Sequence, residues 1–126
     1  MKNIKEWVEA CRKGETSYQS LIDRVPYARF LGIQVVARGE ELYFILPKKD
    51  TNIGNPTLPA LHGGAVAGFM EQAALLFVLL EMGEPRIPKT IDLTVDYLRA
   101  GHVRDTFAEC RITRLGRRVA NVSVSA

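Results

Sequence analysis

From Ala65 to Leu80 the chain is apolar on nearly every face, and the stretch carries a single carboxylate, Glu71, beside Gln72. A surface helix normally keeps a polar stripe for water, so a helix that is apolar all round must be covered on most sides. Leu61-His62-Gly63-Gly64 runs directly into it. A carboxylate in apolar surroundings costs on the order of several kcal/mol unless it is paired, protonated or put to use. Free amides at a helix N-terminus, conversely, offer a place for developing negative charge. Donors and an acid on one buried helix read as a catalytic device.

A membrane-spanning reading is the competitor. Spans usually need ~20 apolar residues with few charges, whereas Glu71-Gln72 interrupts this run and flanking anchors are missing. A buried core helix fits better. The 126 residues give room for one domain, residues 1–126, with a sizeable core. With 47% hydrophobic and 25% charged residues the composition is that of a soluble globular protein. Cys11 and Cys110 share no motif spacing, and no metal-ligand cluster or disulfide framework is visible. Without a signal peptide, a reducing cytoplasm is the expected compartment, and no metal is expected.

Charge is unevenly spread. Residues 1–85 hold 9 Lys/Arg against 10 Asp/Glu, while residues 86–126 hold 8 against 4. As a group, the basic residues of the C-terminal region suggest a polyanionic ligand, nucleotide phosphates among them, although any single arginine there is better read as a solvated surface residue.

The first 30 residues read as helical: Ile4–Arg12, then Tyr18 to about Arg29 with Ser17 as N-cap and Pro26 bending the end. Leu31–Ala37 and Glu41–Leu46 flank Arg38-Gly39-Glu40 as a hairpin. Pro47–Ala60 holds three prolines and reads as a loop. Beyond the central helix, Met82–Pro88 is another loop. Thr90–Leu98, Thr106–Arg114 and Arg118–Ala126 alternate as strands. Strands grouped after one helix favour an α+β fold, an antiparallel sheet wrapped around a long central helix. Ala126 falls within an alternating run, so a final strand is expected beyond it.

On these features the chain resembles the hotdog-fold thioesterases of the phenylacetate-pathway (PaaI-like) group. The shared features run from Tyr27-Ala28-Arg29-Phe30-Leu31-Gly32-Ile33 to Asn121-Val122-Ser123-Val124. The most specific are His62-Gly63-Gly64 with an acid seven residues after Gly64, and Thr90-Ile91-Asp92-Leu93-Thr94-Val95-Asp96-Tyr97-Leu98-Arg99. The resemblance implies a homodimer, or a dimer of dimers, with a thioester site between two antiparallel helices. It implies Glu71 as the catalytic acid, the Gly63 and Gly64 amides as oxyanion donors, His62 as the motif histidine and Asn55 as an upstream asparagine, with Asn52 as the alternative. Thr90 lies where some members place a serine near the attacking water.

Physical chemistry supports part of this transfer. Thioester hydrolysis needs an activated water or a carboxylate nucleophile, and a cradle for the oxyanion. Gly63 and Glu71 are eight residues apart, ~12 Å of helix rise, so one carbonyl carbon cannot touch both within one chain. Taken singly, His62 could cap a loop carbonyl and Glu71 could be a structural acid bonded to Asn55 or to backbone. Asp92 and Asp96 are expected to be structural or solvated, His102 exposed and Trp7 packed.

The leading expectation is an acyl-CoA thioesterase, with coenzyme A as part of the substrate rather than a cofactor. Its phosphates are expected to meet Arg99, Arg114, Arg117 and Arg118, and neither nucleic acid nor membrane is an expected partner. The rivals are a non-catalytic acyl-CoA sensor and, last, a hotdog dehydratase. The acyl group itself is not readable from the residues.

Overall fold

The computed structural model describes residues 3–82 and 86–126. Helix α1 (Ile4–Arg12) begins at Asn3, whose side chain accepts from the Glu6 N–H at 2.9 Å. Helix α2 (Tyr18–Ile22) begins at Ser17, the expected cap, whose hydroxyl accepts from the Ser20 N–H at 3.2 Å. The one helix expected from Tyr18 to Arg29 is in fact two. Pro26 opens α3 (Pro26–Leu31) at its first position, where a missing N–H does no harm. Gly32 ends α3 at φ 75°, a left-handed cap that suits glycine, so strand β1 (Gln34–Arg38) starts three residues later than expected.

Strands β1 and β2 (Glu41–Leu46) form the hairpin around Gly39. Strand β2 then pairs with β5 (Thr106–Leu115), and β5 with β6 (Ala120–Ser125), all antiparallel, in the order β1-β2-β5-β6. The alternation of β5 is as expected: Ala108 and Cys110 are buried, while Phe107, Glu109 and Arg111 are exposed. The stretch between residues 47 and 60 is more ordered than a loop. It holds a 3₁₀ turn (Asp50–Asn52) and a short strand β3 (Ile53–Asn55) that pairs with β4 (Ala60–Leu61).

Helix α4 (Gly63–Glu81) crosses the sheet against β2, β5 and β6. Its Phe69, Ala73 and Leu76 enter one core with Phe44, Leu46 and Ala108. Phe44 and Phe69 are wholly buried, and truncating such a ring to alanine costs about 3–5 kcal/mol. These two side chains clamp helix to sheet. Near the far end, Leu79 joins Val8, Cys11 and Leu21 in a second cluster, and the Arg12 guanidinium donates to the Leu80 carbonyl. The Arg24 guanidinium lies 4.2 Å over the Trp7 ring, so Trp7 packs as expected. By length and composition α4 could cross a membrane, but its packed side makes it the core helix of the sheet.

Two expectations are not met. Thr90–Leu98 forms no strand: these residues have no ladder partner within the described chain. Alternation in the sequence specifies which faces a strand would present, not the neighbouring edge that must receive its hydrogen bonds. The sheet also fails to wrap α4 fully. The side of α4 carrying Glu71 looks into an open cleft bounded by the 86–95 segment and the inner positions of β6. The loop expected over Met82–Pro88 lies partly outside the described residues.

Candidate active site

The cleft has a volume of about 800 Å3. Glu71, Ala74, Leu75 and Val78 of α4 form its floor; Thr90 stands on one wall and Val122 and Val124 on another. Four cations, Arg86, Lys89, Arg117 and Arg118, border it against two carboxylates, Glu71 and Asp92, so an anionic ligand is favoured over a cationic one. Glu71 is half-buried and has no hydrogen-bond or ion-pair partner among the described residues. It is thus not a structural acid tied to Asn55. Gly64, Gly68 and Glu71 stand at i, i+4 and i+7, one face of the helix.

The helix N-terminus is built differently from a simple row of free amides. His62 is the N-cap, and its Nδ1 accepts from the Gly64 N–H at 2.9 Å. The imidazole therefore caps its own helix rather than a loop carbonyl, and the accepting Nδ1 must be unprotonated. A Cβ on Gly64 would stand 2.8 Å from His62 Cε1, so the glycine leaves room for this bond. The Gly63 and Ala65 amides have no acceptor among the described residues. On the far side of the same peptide unit, the Tyr97 hydroxyl donates to the Gly63 carbonyl at 2.8 Å.

The remaining expected residues separate into groups. Asn55 is exposed, and its Oδ1 accepts from the Thr57 and Leu58 N–H groups at 3.0 and 3.2 Å, which closes a local turn. Asn52 is 5% exposed; its backbone carbonyl accepts the His62 N–H at 2.7 Å, and its Nδ2 lacks a partner among the described residues. Of the two asparagines, Asn52 is the one joined to the histidine. Arg117 and Arg118 border the cleft and, with Arg114 and Asn121, an adjoining hollow of about 300 Å3. Arg99 borders neither, and His102 is exposed as expected.

Sequence reasoning missed two aromatic residues. Tyr97 stands in the 90–99 stretch that carries the resemblance, without a role of its own there, yet its hydroxyl reaches the glycine motif. Tyr27 packs over Gly68, where a Cβ would lie 3.2 Å from its ring, and stacks on Phe30 with centroids 6.1 Å apart. The only signal for the second was a glycine in mid-helix, which marks a close approach.

The profile of the thioesterase superfamily matches residues 58–126, the half that holds the glycine motif, α4 and the last strands. A Chromobacterium violaceum protein of known structure is 33% identical, with 94% of this chain and 82% of that one covered and a TM-score of 0.74. A phenylacetic acid degradation-related protein from Ralstonia eutropha is 22% identical over 87% of this chain and 89% of its own, TM-score 0.70. A Bacillus halodurans protein solved with CoA is 19% identical over 98% and 83%, TM-score 0.69. The last two show likeness of fold. No curated protein matches the chain. The fold is the hotdog type that the sequence resemblance implied, and the chain belongs to the thioesterase superfamily.

Proposed function

We propose that this protein hydrolyses acyl-CoA thioesters at a site completed by a second copy of the chain. The observation that carries the reading is Glu71, a carboxylate without a partner among the described residues, on the floor of a cation-bordered cleft and on the same helix face as the Gly64 amide. Glu71 takes a proton from water as the oxygen attacks the thioester carbonyl carbon. The amides of the Gly63-Gly64 turn, with the positive end of the helix dipole, hold the oxyanion. The carbon–sulfur bond then breaks, and the thiolate of coenzyme A leaves and takes up the proton. Thr90, which shares the cleft with Glu71, orients the water.

Two observations support a homodimer. Glu71 and the amide end lie ~12 Å apart along one helix, too far to meet at one carbon. In addition, Ile91, Tyr97 and Leu98 are 79, 59 and 91% exposed on a segment without ladder hydrogen bonds, the kind of edge that a second chain covers. The pyrophosphate end of coenzyme A fits the hollow lined by Arg114, Arg117 and Arg118, and the CoA-bound Bacillus halodurans relative supports that ligand. Two free, buried cysteines fit a reducing cytoplasm.

The test is free-thiol release from a panel of acyl-CoA thioesters, aryl and short to long alkyl. Glu71→Gln is expected to fold and to lose at least ~100-fold in kcat, the scale of general-base loss. Near-wild-type thiol release by a folded Glu71→Gln protein contradicts the assignment.

A further inference from the structure

The peptide unit between Gly63 and Gly64 is gripped at both polar ends. Its carbonyl oxygen accepts the Tyr97 hydroxyl at 2.8 Å, and its N–H donates to His62 Nδ1 at 2.9 Å. The Tyr97 ring also lies against Gly63, where a Cβ would stand 3.4 Å from ring carbons Cε1 and Cζ. A side chain 34 residues away in sequence thus fixes the orientation of one peptide plane by ring contact and hydrogen bond together.

We infer that Tyr97 is a positioning residue that sets the direction and donor strength of the Gly64 N–H. The inference rests on the thioesterase reading, in which that N–H faces the developing oxyanion. A donor on a peptide carbonyl draws electron density from the amide nitrogen, so the N–H of the same unit becomes a stronger donor. The benefit is largest when charge appears on the substrate oxygen, and smaller for the neutral thioester. His62 keeps the N–H satisfied until the substrate oxygen shares or takes it. This arrangement costs no reorganisation of the backbone at the moment of reaction. Tyr97 also comes from the segment without ladder hydrogen bonds, so that segment is tied to the amide end of α4 through this bond.

Tyr97→Phe keeps the ring against Gly63 and removes the donor alone. The expected result is a kcat about tenfold lower with KM within twofold, an unchanged unfolding midpoint, and an upfield shift of the Gly64 amide proton in the free protein. An unchanged kcat overturns the inference, as does a rise confined to KM, which would make Tyr97 a binding residue. A fall in kcat with a static Gly64 resonance overturns it as well. If the wild type releases no thiol from any acyl-CoA in the panel, the thioesterase reading fails instead. The clamp is then judged by the Gly64 resonance, which moves in Tyr97→Phe if it exists and stays put if it does not.

Discussion

Gly64 shows how much of the site is decided by single atoms. Its missing side chain admits the His62 imidazole to its N–H, and its neighbour's carbonyl takes the Tyr97 hydroxyl. His62-Gly63-Gly64 and Glu71 were legible in the sequence because each breaks a local rule: glycines where a helix begins, a charge where everything else is apolar. Tyr97 was not legible as part of the site, since an aromatic in an alternating run obeys local rules, and Asn52 was legible only as the alternative to Asn55. Only the folded chain brings them to the motif. Cys110 gives a prediction at the same scale. Burial, and to a lesser extent the Glu109 charge, push its thiol up to about 12 from an ordinary 9.0. Below pH 9 folded and unfolded chains both hold the proton. Above it the unfolded thiol ionises first, so stability falls as pH rises toward 12. Cys11, raised by burial, and Tyr43, raised by its hydrogen bond with Glu41, add slopes of the same sign. The urea midpoint of Cys110→Ala should therefore fall less steeply between pH 8 and 10 than that of wild type. Equal slopes would show that the thiol titrates normally.

At the level of elements, the hairpin and the last two strands follow from periodicity, because each buries one face against a neighbour in the same chain, and the central helix follows from its nearly unbroken apolar run. The split of α2 from α3 turns on one proline, and the delayed start of β1 on one left-handed glycine. Thr90–Leu98 has the pattern of a strand without the ladder, since pairing depends on an edge the pattern cannot name. The β5–β6 turn carries the arginines that matter to the proposed ligand. Arg117 and Arg118 border both cleft and hollow, whereas Arg99 borders neither. Alanine at 117 and 118 together should raise KM several-fold with little change in kcat, and should flatten the rise of KM with salt. Arg99→Ala should leave both unchanged. A salt-independent KM in the wild type would reduce the basic turn to a solvated surface.

At the level of the molecule, one chain holds every proposed catalytic group, and on the proposed reading a second chain completes their arrangement. The acid and the amides share a helix face but stand ~12 Å apart along it, so a carbonyl polarised at one end is out of reach of the carboxylate at the other. A second α4 running antiparallel would bring its own acid to the first helix's amides, and would cover the exposed side chains of the 86–98 segment. The most direct test mixes two inactive proteins: Glu71→Ala, and Gly64→Pro, which deletes the N–H and turns the His62 imidazole aside at a helix position that tolerates proline. With folding of each confirmed by circular dichroism, each homodimer should be inactive, and confirmed mixed dimers should regain one working site of two. Mixed dimers as inactive as their parents would show that acid and amide act within one chain, contrary to the shared site.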